Sequence, residues 1–178
     1  LVDLNYKQQL LRYDRENKIQ KLDVEYIQGD YDIVIISDYD KGLITRDVAE
    51  YICNKYKDKP IFVDSKKNDL TCYSNCFLKI NSNEYKNLIN YNEDNCELII
   101  TNGRAGATYN FINYPAPKVE VYDVCGAGDV FLAGLAYSFS KNKDIVKSIK
   151  IANKLASISV SKFGTYVLTE SDIDKVEN

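Results

Sequence analysis

Four short, continuously apolar runs rich in β-branched and aromatic residues, at 33–37 (IVIIS), 60–64 (PIFVD), 77–80 (FLKI) and 97–101 (ELIIT), constrain the chain more than any other feature. Runs of this length without polar alternation read as strands buried on both faces, and such strands belong to a parallel sheet covered by helices. Residues 45–57 supply a crossover: Thr45 is an N-cap, and Val48, Ile52 and Tyr56 recur at helical spacing on one face. The result is a β-α-β unit, and the expected class is an α/β three-layer fold around a largely parallel central sheet.

The second half changes character. Residues 106–112 and 118–121 read as antiparallel strands around a turn at 113–117, where Pro115 and Pro117 forbid helix. A helix then opens at the glycines near 126, with Val130, Phe131, Gly134, Leu135 and Ser138 on a buried stripe whose small residues let it approach the sheet. Residues 144–162 give a second long helix with Ile145, Ile149, Ala152, Ala156 and Ser159 in phase, and Thr169 caps a last short one.

With 178 residues, 45% hydrophobic and 28% charged, the chain can bury one real core, so residues 1–178 are expected to form one domain. The net charge of −3 offers no footprint for nucleic acid or an anionic membrane, and no apolar run is long enough to span one. The start lacks the order of a signal peptide, and the five cysteines are odd in number and irregularly spaced, so a reduced, cytoplasmic setting is expected. Cys72 and Cys76 lack the partners a tetrahedral metal site needs. The chain has no histidine, which removes Ser-His-Asp, Cys-His and paired-histidine nucleotidyltransferase mechanisms. It also has no methionine, which suggests a fragment whose beginning lies elsewhere; removal of an initiator looks the same locally.

The chemistry concentrates in Asp123-Val124-Cys125-Gly126-Ala127-Gly128-Asp129, after a strand and at the head of a helix. Gly126 and Gly128 free the backbone to turn the amides of Gly126, Ala127 and Gly128 toward one point, and the helix dipole adds positive charge there. Such a nest suits a transferring phosphoryl group, and Asp129 at its mouth can take the proton of an attacking hydroxyl. A glycine turn with Asp129 as an ordinary first-turn acid fits the same residues. Asp38 and Lys41 fall at a strand's carboxyl end, where α/β sheets place ligands, although a loop lysine is commonly just solvated.

The 123–129 segment resembles the D-[TV]-x-G-A-G-D signature of ribokinase-like (PfkB-type) carbohydrate kinases. Asn81-Ser82-Asn83-Glu84 resembles that family's N-x-x-E element, and 101–106 (TNGRAG) resembles its T-x-G-x-x-G turn. The resemblance covers nearly the whole chain and implies ATP and Mg2+ as cofactors. Asn81 and Glu84 would organise the metal through water, Thr101, Gly103 and Gly106 would hold nucleotide, and Asn153 would line the adenine pocket. It further implies Asp129 as catalytic base, with Asp123 supporting the anion loop or a monovalent cation such as K+, and it leaves a homodimer open. Taken singly, Asn81 and Glu84 also suit a helix cap, and Gly103 and Gly106 a hairpin.

A narrower likeness, to the D-glycero-D-manno-heptose 7-phosphate kinase branch, lies in 8–14 (QQLLRYD), 37–42 (SDYDKG), 63–66 (VDSK) and 162–165 (KFGT). It implies a sugar phosphate as partner, phosphorylated at its anomeric hydroxyl on the way to ADP-heptose for bacterial surface polysaccharide, with Asp38 and Lys41 on the substrate side. Two departures matter. Nothing here corresponds to the preceding half that supplies the family's first strands, lid and most sugar contacts, so the expected part is C-terminal. The connector from Glu84 to Glu97 also looks too short for the family's additional helix. A truncated or non-catalytic homologue that binds nucleotide or a partner without turnover is the competing expectation.

Overall fold

The computed structural model describes residues 2–3, 8–9 and 19–177. The 8–14 likeness therefore lies outside the described residues beyond Gln8 and Gln9. Strands β1 (Val2–Asp3) and β2 (Gln8–Gln9) form a separate antiparallel pair. The main sheet contains β3 (Val34–Asp38), β4 (Ile61–Ser65), β5 (Cys76–Asn81), β6 (Cys96–Thr101), β7 (Ala107–Tyr109) and β8 (Ile112–Tyr114) in that order, with β3 to β6 parallel and the last two antiparallel. All four apolar runs are thus strands, within a residue or two of where they were expected.

Because the parallel strands step across the sheet in one direction, right-handed crossovers must all fall on the same face. They do. Helix α1 (Arg46–Lys55) buries Val48, Ala49, Ile52 and Cys53, and the β4–β5 connection adds Leu70, Cys72 and Tyr73, against Ile36, Ile61, Val63, Leu78 and Ile80 of the sheet. The opposite face needs a different cover. Helices α3 (Ala127–Asn142) and α4 (Ile145–Val160) supply it, with Phe131, Leu132, Leu135, Ile149 and Ala152 on Phe62, Ile99, Ala107 and Tyr109. Strand β4 is buried at every position because it lies between both layers.

Helix α5 (Glu170–Glu177) packs on α4 through Val176. Its start is fixed at Thr169, whose amide and hydroxyl both donate to Asp172, at 3.1 and 2.8 Å. No helix among the described residues is long and apolar enough to cross a membrane. Four cysteines are buried, Cys125 is exposed, and all five are free thiols.

The structure corrects four local expectations. The hairpin turns at Asn110 and Phe111, both left-handed (φ 49° and 62°), so Asn113 lies inside β8 and 118–121 forms no strand. A two-residue turn with two left-handed positions matches the twist of paired strands; the prolines act after it, keeping 115–117 out of the sheet. Strand β3 is covered on one face only: Ile35 is 47% exposed, because β3 is the edge of this sheet and α3 and α4 sit over β4 to β7. Gly134 serves a helix–helix approach rather than a helix–sheet one, since a Cβ there would stand 2.8 Å from Leu155 Cδ1 of α4. Thr45 precedes α1 as expected, but its hydroxyl donates to Asp47 at 2.5 Å instead of capping an amide.

Candidate active site

The carboxyl ends of β4, β5 and β6 and the head of α3 enclose a cleft of about 880 Å³. Parallel sheets put ligands at this edge. Gly126 precedes α3 in a left-handed conformation (φ 77°), and the Asp123 carboxylate accepts the Cys125 amide at 2.8 Å, which fixes the loop. Ala127 donates its amide to the Val124 carbonyl at 3.2 Å, so the nest rests on Gly126 and Gly128 rather than on all three amides. First-turn amides have no intrahelical partner, and they share the positive end of the α3 dipole.

Asp129 is the third residue of α3, exposed at the cleft, and the Tyr39 phenol donates to its two oxygens at 3.4 and 3.5 Å. The charge of Asp129 pushes the Tyr39 hydroxyl above its usual range, with burial and that hydrogen bond adding to the effect. Tyr39 follows β3, so the parallel sheet brings it 90 residues across the sequence to the helix head.

Below the nest lies a network that sequence reasoning missed. Asp64 and Lys79 are direct register partners on β4 and β5, are 5% and 2% exposed, and pair at 2.5 Å. A Cβ on Gly128 would stand 3.0 Å from the Lys79 ammonium, so this buried cation sits against the glycine loop. Lys66 bridges Asp64 at 3.0 Å and Glu84 at 2.7 Å. The one signal in the sequence was a lysine inside FLKI, because a charge in a buried strand requires a partner.

Asn81 and Glu84 close a full capping box on α2 (Ser82–Lys86): Asn81 Oδ1 accepts the amides of Asn83 and Glu84, and Glu84 Oε2 accepts the Asn81 amide at 2.7 Å. The cap is therefore real, and Asn81 still lines the cleft. Between Lys86 and Cys96 there is no further helix; the connector instead runs alongside residues 68–70, pairing Asn90 with Asp69. Among the described residues no three acidic, cysteine or histidine side chains converge to hold a metal. Glu84 stands off the cleft wall with Lys66 on one oxygen and the Asn81 amide on the other, so it would reach a magnesium ion only through water and in exchange with a resident donor.

On the other side of the cleft, Thr101 ends β6 and donates its hydroxyl to the Ile80 carbonyl at 3.3 Å. Gly103 and Gly106 are both left-handed (φ 56° and 93°), and a Cβ on Gly106 would stand 2.1 Å from the Tyr114 carbonyl and 2.6 Å from the Ala116 nitrogen. Gly106→Ala is expected to cost about 2–4 kcal/mol, from backbone strain and overpacking together. A thermal melt should drop by roughly 10 °C. Asn153 is buried and donates to the Tyr114 carbonyl at 2.8 Å; it lines the cleft with Ala156, Ser157 and Pro117.

Asp38 departs from its expected place beside a substrate. It is 3% exposed: Ser65 donates to one oxygen at 2.9 Å, Tyr73 at 2.6 Å and Lys67 at 2.5 Å, and the Asp40 amide donates to the other at 2.9 Å. Burial opposes its charge, yet these hydrogen bonds outweigh it and hold the carboxyl below the usual range. Its work is to anchor the loop that presents Tyr39. Lys41 lies exposed on that loop and is not part of the cleft wall.

A mostly parallel sheet with an amide nest, a carboxylate and a buried ammonium at its carboxyl edge is an arrangement suited to holding a phosphoryl group, as small-molecule kinases do. The comparisons agree: the pfkB family carbohydrate kinase model matches residues 3–172, and the chain belongs to that family. Bifunctional protein HldE of a Nitratiruptor species is 32% identical over 200 residues, covering 96% of this chain and 43% of the relative, so the chain spans less than half of that protein's length. Ribokinase of Thermotoga maritima superposes with a TM-score of 0.61 at 17% identity, covering 82% of this chain and 56% of its own. Phosphofructokinase-2 of Escherichia coli, solved in complex with potassium, gives 0.68 at 17% identity over 81% and 55%. The fold is ribokinase-like.

Proposed function

We propose that this chain is the nucleotide-binding and catalytic part of an ATP-dependent sugar-phosphate kinase acting on the anomeric hydroxyl of D-glycero-D-manno-heptose 7-phosphate. The observation that carries the reading is the meeting of the Asp129 carboxylate, the Gly126–Gly128 loop and the buried Lys79 ammonium at one end of a single cleft. The acceptor is read from the likeness of 37–42, 63–66 and 162–165 to heptose 7-phosphate kinases.

In this mechanism Asp129 takes the proton of the attacking hydroxyl as its oxygen forms a bond to the γ-phosphorus of ATP. The bond from that phosphorus to the bridging oxygen breaks, leaving ADP with the electron pair. The amides of Gly126 and Gly128, helped by Lys79, hold the charge on the transferring group. Thr101, Gly103, Gly106 and Asn153 hold the nucleotide across the cleft. Glu84 would hold a nucleotide-bound magnesium ion through water, and that ion would supply positive charge to offset the phosphates. Asp123 fixes the loop and is the residue proposed to face a monovalent cation, potassium included.

The test is calorimetric titration with MgATP, followed by ADP-release assays with heptose 7-phosphate, ribose and fructose 6-phosphate. Turnover with heptose 7-phosphate at a kcat/KM about a hundredfold above the other sugars is expected, a difference of roughly 2.7 kcal/mol in transition-state binding. Nucleotide binding without turnover on any sugar sinks this reading in favour of a non-catalytic homologue. The exposed face of β3 makes that outcome a specific competitor.

A further inference from the structure

Lys66 leaves the end of β4 half-buried and lines the cleft, whereas Glu84 does not reach the cleft wall. The ammonium stands between them. It donates to Glu84 Oε1 at 2.7 Å and to Asp64 Oδ1 at 3.0 Å, while Glu84 Oε2 is occupied by the Asn81 amide at 2.7 Å. Both oxygens of Glu84 therefore have a resident donor. Asp64 is held a second time by Lys79, so it offers Lys66 a fixed pivot. Burial opposes the charge on Lys66, but the hydrogen bonds to Glu84 and Asp64 outweigh it and keep the ammonium above its usual range.

A divalent ion arriving with nucleotide meets that ammonium before it meets Glu84. Two cations cannot share one carboxylate oxygen in a partly buried cleft without strong repulsion. A lysine on a flexible four-carbon stem can yield the place, and a negatively charged phosphate beside it gives it somewhere to go. We propose that Lys66 is the resident counter-ion of Glu84, displaced onto the nucleotide phosphates when a divalent ion binds, so that this one lysine sets how strongly nucleotide binding depends on magnesium. The inference rests on the nucleotide-binding reading above and adds a residue to it.

The experiment titrates ADP into the 178-residue chain, once in EDTA and once in excess magnesium, and compares the ratio of the two dissociation constants among variants. In Lys66→Met the EDTA value should hold within about threefold, because without metal Lys66 stays on Glu84 and Asp64, while the magnesium value weakens about tenfold as the phosphates lose the displaced ammonium, narrowing the ratio by about tenfold. Glu84→Gln keeps the cap on Asn81 and releases Lys66; its EDTA value should tighten and its ratio fall toward one. Circular-dichroism melts check that each variant folds, and Glu84→Gln decides the matter if Lys66→Met does not. An unchanged ratio in a folded variant overturns the displacement. A parent chain that binds no ADP in either condition overturns the nucleotide reading itself, and the two failures are told apart by the parent titration alone.

Discussion

Asp129→Asn lowers sugar-dependent ADP release by about a hundredfold to ten-thousandfold, the usual contribution of a positioned general base, and leaves the dissociation constant for MgADP within about threefold. The substitution preserves size and retains an oxygen able to accept the Tyr39 hydrogen bond, so the cleft keeps its shape. What is lost is the capacity to take a proton. Two readings of Asp129 were open in the sequence, and this variant separates them by magnitude. An acid that only complements the α3 dipole contributes about 0.3–1 kcal/mol of stability, so its loss lowers a melt by a few degrees and leaves kcat unchanged. A base shares that small effect on the melt, because it occupies the same first turn, and takes kcat down as well. Near-parent kcat in a folded Asp129→Asn protein removes Asp129 from the mechanism.

The parts of this molecule that were legible in the sequence are those whose cause is local. Strands β4 and β5 show themselves because burial on two faces leaves no polar alternation, and α1 shows itself through the phase of Val48, Ile52 and Tyr56. Gly126, Gly128 and Asp129 stand within one turn of chain, so their spacing carries their geometry. The failures are non-local or chemically silent. Asn110-Phe111 takes a two-residue hairpin turn without the glycine that usually marks one, while the prolines that drew attention lie beyond the strand. Tyr39 reaches Asp129, and Lys79 reaches Asp64 and the glycine loop, only through strand order and register. Asp38 was correctly placed at a strand end, but a strand end can face inward as well as outward, and the Ser65, Lys67 and Tyr73 donors that decide this come from other elements.

Lys79→Met tests whether that register-built pair is structural, electrostatic or both. Removing one member of a buried ion pair leaves the other charge uncompensated, which costs about 3–5 kcal/mol. Lys66 still holds one oxygen of Asp64, so the lower end of that range is expected, with a melt roughly 10 °C lower. Replacing both members, Asp64→Leu with Lys79→Met, should regain most of the lost stability, because an apolar pair of similar volume needs no desolvation of charge. Nucleotide affinity should not return with it. The Lys79 ammonium lies against the Gly128 loop, and without it ADP should bind about tenfold more weakly, or about 1.4 kcal/mol, in both the single and the double variant. If the double variant regains stability and affinity together, Lys79 serves only the fold, and the charge offered to a phosphoryl group at the head of α3 comes from the Gly126 and Gly128 amides alone.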